Sequence, residues 1–296
     1  MTEERSHYRG RFAPSPSGPL HFGSLVAAVG SYLEARIHNG EWLLRMEDID
    51  PPREREGAAE DILRTLECFG FEWIGEVLYQ SHRNDAYREV LGQLAAQQRL
   101  FTCNCSRKEV AAAGLQGVDG PRYPGTCRGT PPFGRWEANI RLQIEESVVC
   151  FEDAVYGTHQ QEIAGDVGDF VIKRLDGLYS YQLAVVIDDA FQEVTHVVRG
   201  ADLLPSTPRQ IYLQQLLGFS TPHYTHLPLV LNDQGCKLSK QAGDQPVERS
   251  DPLPALLSAL KFLNQPLPDD RPENLTDFWR WAVANWDPAL ITPTSY

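Results

Sequence analysis

Apolar and polar residues alternate in blocks at the start of the chain, and these blocks predict strands and helices in turn. Residues 8–13 predict a first strand, which the rigid loop PSPSGP follows. Residues 21–40 carry apolar side chains near helical spacing and end in Asn-Gly, so they predict a helix. Residues 42–48 predict a second strand, and residues 50–70 a second, proline-led helix. This order is typical of a parallel α/β sheet.

The pattern breaks near residue 101, where Cys, Gly and Pro become frequent. Residues 101–163 therefore predict an insertion with its own metal-stapled structure, β-rich toward its end. The α/β pattern resumes with apolar runs at 168–174, 179–190 and 194–200. We interpret the second run as a strand. Asp188 and Asp189 at its end indicate either a metal-binding carboxylate pair or loop hydrogen bonds.

The remaining third of the chain carries further start and stop signals. Thr207-Pro208-x-Gln210 predicts a helix start with the threonine as its cap, and Gly218 predicts the helix end. Residues 226–233 predict another strand. Residues beyond 245 predict a short helical tail.

Composition and charge narrow the class of protein. The chain has 296 residues, 42% of them hydrophobic, which is enough apolar material for a sizeable core. Its net charge of -13 argues against a general nucleic-acid coat, so any RNA would bind a local basic face. No apolar run approaches the roughly 18 residues of a membrane span. The charged N-terminal segment lacks the apolar core of a signal peptide, and we expect a soluble cytoplasmic protein without a membrane partner.

Two motifs suit phosphate chemistry. Residues 14–24 lead from a strand into a helix N-terminus, where backbone N–H groups and the helix dipole favour phosphate. His21 can donate to a phosphate oxygen, and Gly23 allows close approach of a nucleotide; the alternative is a proline-rich connection with an incidental histidine. Lys237 and Lys240 are two of only five lysines in the chain, and they flank a serine. Two such cations could stabilise the charge of a triphosphate; the alternative is a solvated pair of surface charges.

Together the two motifs resemble those of the class I aminoacyl-tRNA synthetases. Residues 21–24 match the HIGH motif, and residues 237–241 (KLSKQ) match KMSKS. The blocks RFAPSPSGPLHFGS, RMEDIDPPR, GDFVIKRLDGLYSYQLAVVIDD and THVVRGADLL are similar to the glutamyl branch, and the resemblance spans roughly residues 8–241. It implies catalytic and ATP-binding roles for His21, Gly23 and Lys240, and a catalytic role for Lys237.

The resemblance also implies a fold and a division of the chain. The fold is α/β, a Rossmann-like class I synthetase catalytic domain with a zinc-bearing insertion and a short helical C-terminal region. The parts are the first half of the catalytic domain (1–100), the insertion (101–163), the second half with the KLSKQ loop (164–241) and the C-terminal region (242–296).

Three charged residues at predicted strand ends suit an amino-acid substrate. Arg11, Glu47 and Arg199 each end a strand, and such ends line the crevice of an open α/β sheet. Arginine binds carboxylates and glutamate pairs with an ammonium group, whereas surface salt bridging is the alternative for each residue taken singly. The resemblance implies that Glu47 holds the α-amino group of glutamate. It places the other glutamate-binding positions at Arg11, Phe12, Ala13, Pro14, Ser15, Tyr181 and Arg199.

A cysteine cluster suits a metal. Cys103, Cys105 and Cys127 are close in sequence, and three thiolates favour one structural Zn²⁺ over three free thiols. Resemblance to the glutamyl-queuosine branch puts Tyr123 in the fourth position, with Cys150, Asp119 or water as alternatives. Residues 101–141 hold six basic residues against three acidic ones, which indicates a candidate RNA contact.

The composition of the last part of the chain bears on which RNA receives the amino acid. Residues 242–296 hold four basic and eight acidic residues, a poor composition for gripping RNA. Together with the cysteine cluster and the KLSKQ variant, this C-terminal composition resembles that of the glutamyl-Q tRNA(Asp) synthetases. The resemblance implies a monomer whose partners are ATP with Mg²⁺, L-glutamate and tRNA(Asp) that carries queuosine. The alternatives are an ordinary glutamyl-tRNA synthetase core acting at a tRNA 3′ end, a small-molecule nucleotidyltransferase, and a zinc-bearing RNA-binding module with an inactive synthetase fold.

Overall fold

The protein is described from a computed structural model that covers residues 7–118, 120–129, 138–231 and 245–294. Its first half alternates strands and helices as the sequence predicts. The elements are β1 (Arg9–Phe12), α1 (Phe22–Ile37), β2 (Glu41–Met46), α2 (Ala58–Cys68), β3 (Leu78–Tyr79) and α3 (Asn84–Ala96). Strands β1, β2 and β3 pair in parallel, in that order, so the predicted parallel α/β sheet is confirmed.

The second predicted helix is shorter than the sequence indicates. Pro51–Arg53 forms a separate 3₁₀ turn, and α2 begins only at Ala58. Gly57 lies between them with φ +73°, a left-handed conformation that favours glycine and interrupts a continuous helix. The prediction of one helix over residues 50–70 is therefore wrong for its first turns.

The middle of the chain supplies an antiparallel sheet and a hairpin. Its elements are β4 (Leu100–Cys103), α4 (Arg107–Ala112), β5 (Gln116–Gly117), β6 (Gly120–Pro121), β7 (Asn139–Leu142), β8 (Val148–Asp153), β9 (Gly157–Glu162), α5 (Ile163–Asp166) and β10 (Phe170–Lys173). β7 pairs with both β4 and β10, whereas β8 and β9 form a hairpin. The predicted strand at 168–174 is confirmed by β10.

The α/β pattern then returns. Its elements are α6 (Tyr181–Phe191), β11 (His196–Gly200), α7 (Thr207–Leu217) and β12 (His223–Leu227). β12 pairs in parallel with β11 and with β8. β1 lies alongside β11, where the N–H of Thr195 donates to the carbonyl oxygen of Arg9 at 2.9 Å. The strands from both halves therefore meet at β1 and β11.

Two strand predictions in this region are wrong. The apolar run 179–190 is the helix α6 and not a strand, because a continuous apolar run does not distinguish a buried helix from a buried strand. Ser180 caps α6 by accepting from the N–H of Leu183. The strand predicted at 226–233 lies earlier, at β12, and residues 232 and 233 are outside the described part of the chain.

The predicted helical tail is confirmed by α8 (Leu253–Phe262) and α9 (Leu275–Asn285), which pack against α1. Trp286 donates its indole N–H to Glu34 at 2.8 Å, and Trp279 donates to the carbonyl oxygen of Phe69 at 3.0 Å. Both tryptophans are buried, so the tail completes the core beside α1. Within the described ranges, no helix is both long and apolar enough to span a membrane.

Candidate active site

The three predicted strand-end residues come together at the carboxyl edge of the sheet. Arg11 lies in β1, Glu47 directly follows β2, and Arg199 lies in β11. Both arginine side chains are buried, with 3% of Arg11 and 5% of Arg199 exposed. The charges of Arg11 and Arg199 both act on the carboxyl group of Glu47, as does the charge of Arg45. Parallel strands bring their carboxyl ends to one edge, which explains this convergence.

Arg11 is held by a carboxylate that the sequence did not connect with it. Its Nε and Nη2 donate to the two carboxylate oxygens of Asp189, on α6, at 3.1 and 3.3 Å. Arg45 donates to the same carboxylate at 2.7 Å. A guanidinium has five N–H groups, so three N–H groups of Arg11 have no bond to any described residue. These are available to a ligand carboxylate.

Asp188 and Asp189 do not form a metal-binding pair in the described structure. Asp189 pairs with two arginines, while Asp188, which is fully buried, accepts from Arg83 at 3.0 Å and from Gln80 at 2.9 Å. Both carboxylates thus serve to tie α6 to its neighbours. The loop hydrogen bonds considered from the sequence are replaced by helix-borne ion pairs.

Glu47 suits an ammonium group. Its Oε1 is buried and has no hydrogen-bond partner among the described residues, and it lies 3.6 Å from Nη2 of Arg45. Burial raises the pKa of Glu47 to about 7, although Arg45, Arg11 and Arg199 act to lower it. A ligand cation beside Oε1 would supply the missing donor and favour the ionised carboxylate.

Arg199 and Tyr181 together present hydrogen-bond donors. Nη1 of Arg199 donates to the hydroxyl oxygen of Tyr181 at 3.3 Å, which leaves the Tyr181 O–H free to point elsewhere. Burial raises the pKa of Tyr181, so its hydroxyl stays protonated. The second Nη1 hydrogen and the tyrosine hydroxyl are two neighbouring donors, an arrangement that fits carboxylate oxygens.

The loop after β1 borders this group. The carbonyl oxygen of Pro14 accepts from the N–H of Glu47 at 3.0 Å, which fixes the loop against the end of β2. Ala13 is half-buried and Ser15 is exposed. The side chain of Phe12 packs in the core beside Trp42, at 6.1 Å between ring centroids, so Phe12 can face a ligand only through its backbone.

The helix N-terminus predicted for phosphate is present. His21 is the N-cap of α1, and its ring accepts from the backbone N–H of Ser24 at 3.4 Å. Gly23 lies in the first turn, where backbone N–H groups have no partner within the helix. The N–H of Val247 donates to the carbonyl oxygen of Leu20 at 3.0 Å, which joins the segment that follows the KLSKQ motif in sequence to this junction.

Several predicted residues lie outside the described part of the chain. They are the KLSKQ motif with Lys237, Lys240 and Gln241, the alternative metal ligand Asp119, and Arg135, one of the six basic residues of the candidate RNA contact.

The three predicted metal-binding cysteines form one group. The sulfur atoms of Cys103, Cys105 and Cys127 lie within 4.8 Å of one another, and the last two are 3.6 Å apart. Tetrahedral zinc–thiolate geometry separates sulfur atoms by about 3.8 Å. The hydroxyl of Tyr123 lies 3.9 Å from the sulfur of Cys105, and Cys150, on β8, is outside the group. The donor set therefore fits a metal ion.

Most basic residues near the cysteines are engaged in folding contacts. Arg128 forms two bonds of 2.7 Å with the buried carboxylate of Asp169. Arg122 and Arg141 donate to backbone carbonyl oxygens at 3.0 and 2.8 Å. Of these three arginines, Arg128 is neutralised by a carboxylate and Arg141 is buried, which reduces the positive charge offered to RNA. Among the described residues near the cysteines, Arg107, Lys108 and Arg128 are exposed, and of these Arg128 is paired with Asp169.

The chain matches a known family and curated relatives. Residues 7–255 match the family model described as "tRNA synthetases class I (E and Q), catalytic domain". A curated relative from Chromobacterium violaceum, named glutamyl-Q tRNA(Asp) synthetase, is 55% identical over 279 residues, which cover 94% of this chain and 93% of the relative. This chain belongs to the glutamyl-Q tRNA(Asp) synthetase family. It is an enzyme of the ligase class. A Pseudomonas fluorescens relative of the same name is 51% identical over 98% of this chain and 95% of its own.

Solved structures agree on the fold of this family member. A glutamate tRNA ligase from Elizabethkingia meningosepticum aligns with a TM-score of 0.78 at 23% identity, and the glutamate-tRNA synthetase from Elizabethkingia anophelis with 0.79 at 22%. The alignments cover 98% of this chain but only 66% and 68% of those chains. The predicted Rossmann-like class I synthetase fold is confirmed.

Proposed function

We propose that this ligase activates L-glutamate with ATP and transfers the glutamyl group to the queuosine base in the anticodon of tRNA(Asp). The observation that carries the amino-acid assignment is the buried group of Arg11, Glu47, Tyr181 and Arg199. It offers donors for two carboxylates and one acceptor for an ammonium group, which matches the charges of free glutamate. The names of the relatives support the tRNA acceptor.

Activation needs only positioning and charge stabilisation. An oxygen of the α-carboxylate of glutamate attacks the α-phosphorus of ATP, the bond to the β-phosphate oxygen breaks, and pyrophosphate leaves. His21, Gly23 and the N-terminus of α1 stabilise phosphate charge, while Lys237 and Lys240 stabilise the departing pyrophosphate. Mg²⁺ enters with ATP and neutralises the triphosphate.

Transfer follows at the same carbonyl carbon. A hydroxyl of the queuosine cyclopentene ring attacks the glutamyl-adenylate, an ester forms, and AMP leaves with its bridging oxygen. The phosphate oxygens of the adenylate accept the hydroxyl proton, so positioning suffices.

The cysteine group holds one structural Zn²⁺ in this proposal. Cys103, Cys105 and Cys127 supply thiolates and Tyr123 the fourth ligand. The guanidinium of Arg141 lies 4.0 Å from the centre of the Tyr123 ring and adds positive charge beside these ligands. Bound zinc ties together the end of β4 and the segment around residue 127.

The position of the label on the RNA tests the acceptor. tRNA charged with labelled glutamate is cut with a base-specific nuclease, and the fragments are separated. We expect the label in the anticodon-loop fragment, and we expect removal of the 3′-terminal adenosine to leave incorporation unchanged. Label in the 3′-terminal fragment would assign the chain to the ordinary glutamyl-tRNA synthetase reaction instead.

A further inference from the structure

A buried chain of polar groups contacts the guanidinium of Arg199 on the side away from Tyr181. His226, on β12, is fully buried and lies between Asp153, at the end of β8, and the guanidinium of Arg199. Its Nδ1 is 2.6 Å from Oδ2 of Asp153, and its Nε2 is 3.1 Å from Nε of Arg199. Parallel pairing places Arg199 opposite His226 and Tyr224 opposite Asp153, so the three side chains come from neighbouring strands.

The hydrogen bonds fix the proton on the histidine. Nε of Arg199 can only donate, so Nε2 of His226 must accept and carries no proton. Nδ1 therefore carries the proton and donates it to Asp153. Burial lowers the pKa of His226 to about 4, which agrees with a neutral ring. The contact with Asp153 is thus a charge-assisted hydrogen bond between a neutral imidazole and a carboxylate.

Thr207 completes the support of Arg199. The sequence predicts this threonine as the cap of α7, and that prediction is wrong: the N-cap is Ser206, and it makes no side-chain cap bond. The hydroxyl oxygen of Thr207 instead accepts from Nη2 of Arg199 at 2.8 Å. The other Nη2 hydrogen faces the carbonyl oxygen of Leu203 at 3.4 Å.

These contacts fix the Nε and Nη2 side of the guanidinium and leave its Nη1 edge beside Tyr181. We propose that His226, oriented by Asp153, is a positioning residue that aims Arg199 at a carboxylate of glutamate. Without an acceptor at Nε2, the Nε–H of Arg199 would be buried without a partner, and the guanidinium would turn away from the Tyr181 hydroxyl. The inference rests on the proposed role of Arg199 in binding glutamate.

The test compares two substitutions at one position. His226→Leu removes the acceptor, whereas His226→Gln places an amide oxygen near the position of Nε2. Glutamate-dependent exchange of pyrophosphate with ATP, measured with bulk tRNA present, gives kcat and the KM values for glutamate and ATP. We expect His226→Leu to raise KM for glutamate about tenfold or more, the scale of a lost hydrogen bond to a charged group. KM for ATP should change less than about twofold, and His226→Gln should recover most of the loss.

A histidine on the neighbouring strand supplies the control. His196 begins β11 and stacks on Tyr8 at 3.9 Å between centroids, at the opposite end of that strand from Arg199. His196→Leu should leave KM for glutamate within about twofold of the unaltered chain. Equal KM values for glutamate in His226→Leu and the unaltered chain would overturn the inference. A parallel rise of both KM values, or no recovery with His226→Gln, would do the same.

Thr207→Val keeps the inference testable if His226→Leu does not fold. The substitution keeps the side-chain shape and removes the acceptor for Nη2, so KM for glutamate should rise several-fold with KM for ATP unchanged. An unchanged KM for glutamate would count against the inference. If the unaltered chain shows no glutamate-dependent exchange at all, the proposed function fails, and that result is distinct from a failure confined to the variants.

Discussion

At the scale of single residues, the charge of Glu47 decides whether the site accepts an ammonium group. Burial brings its pKa to about 7, well above the ordinary carboxyl range, despite three nearby arginines. Because the proposed role needs the ionised carboxylate, glutamate and a proton compete for Oε1. Binding of glutamate should therefore weaken as the pH falls through 7.

This competition predicts a pH profile. We expect kcat/KM for glutamate in pyrophosphate exchange to fall about tenfold per pH unit below pH 7 and to level off above it. Glu47→Gln should lower kcat/KM and remove this limb, because an amide does not titrate in this range. kcat/KM for ATP, followed in parallel, should lack the limb. A limb that persists in Glu47→Gln would assign the titration to another group.

At the scale of elements, α6 carries two buried carboxylates that join it to the rest of the site. Asp189 connects it to β1 and β2 through Arg11 and Arg45, and Asp188 connects it to the segment before α3 through Arg83. The helix therefore sets the position of Arg11 through Asp189, and its first residue, Tyr181, brings a hydroxyl group to the same site.

Removing the charge of Asp189 should destabilise the protein. Asp189→Asn leaves Arg11 and Arg45 buried with one uncompensated charge, and we expect a loss of about 3 kcal/mol or more in the free energy of unfolding. The matched control is Asp85→Asn, since Asp85 is 91% exposed in its pair with Arg88 and should change stability by less than about 0.5 kcal/mol. Urea unfolding measures both. Equal losses of unfolding free energy in the two variants would show that the buried ion pairs of Asp189 stabilise the protein no more than an exposed pair does.

The group of three cysteines predicts how much zinc the purified protein contains. The purified protein should hold one zinc per chain, and Cys127→Ser should lose most of it, because three thiolates provide most of the binding energy. Cys150→Ser removes an exposed cysteine outside the group and should keep the zinc. Elemental analysis of the three proteins checks this. Zinc retained in Cys127→Ser would contradict the proposed ligand set.

Some groups of site residues could be predicted from the sequence, whereas others could not. Arg11, Glu47 and Arg199 could be brought together because strand ends in a parallel sheet share one edge, and Cys103, Cys105 and Cys127 because they are close in the chain. Asp189 and His226 could not be connected with the arginines. Their partners are far away in sequence, and an apolar run such as 179–190 does not reveal whether its carboxylates lie on a helix or a strand.

At the scale of the whole molecule, the C-terminal helices belong to the core of the first half. Phe278 is fully buried and Trp279 nearly so, both against the cluster that includes α1. The sequence of this region is acidic in balance, with four basic and eight acidic residues in 242–296. Both features favour a part that stabilises the catalytic fold over one that grips RNA phosphates.

A comparison of two tRNA pools tests whether the modified anticodon base is the acceptor of glutamate. The unaltered protein is incubated with labelled glutamate, ATP and Mg²⁺, and with bulk tRNA either from cells that make queuosine or from cells that cannot. We expect incorporation into the first pool alone, because the attacking hydroxyl belongs to the modified base. Equal incorporation into both pools would contradict it and place glutamate on the tRNA 3′ end.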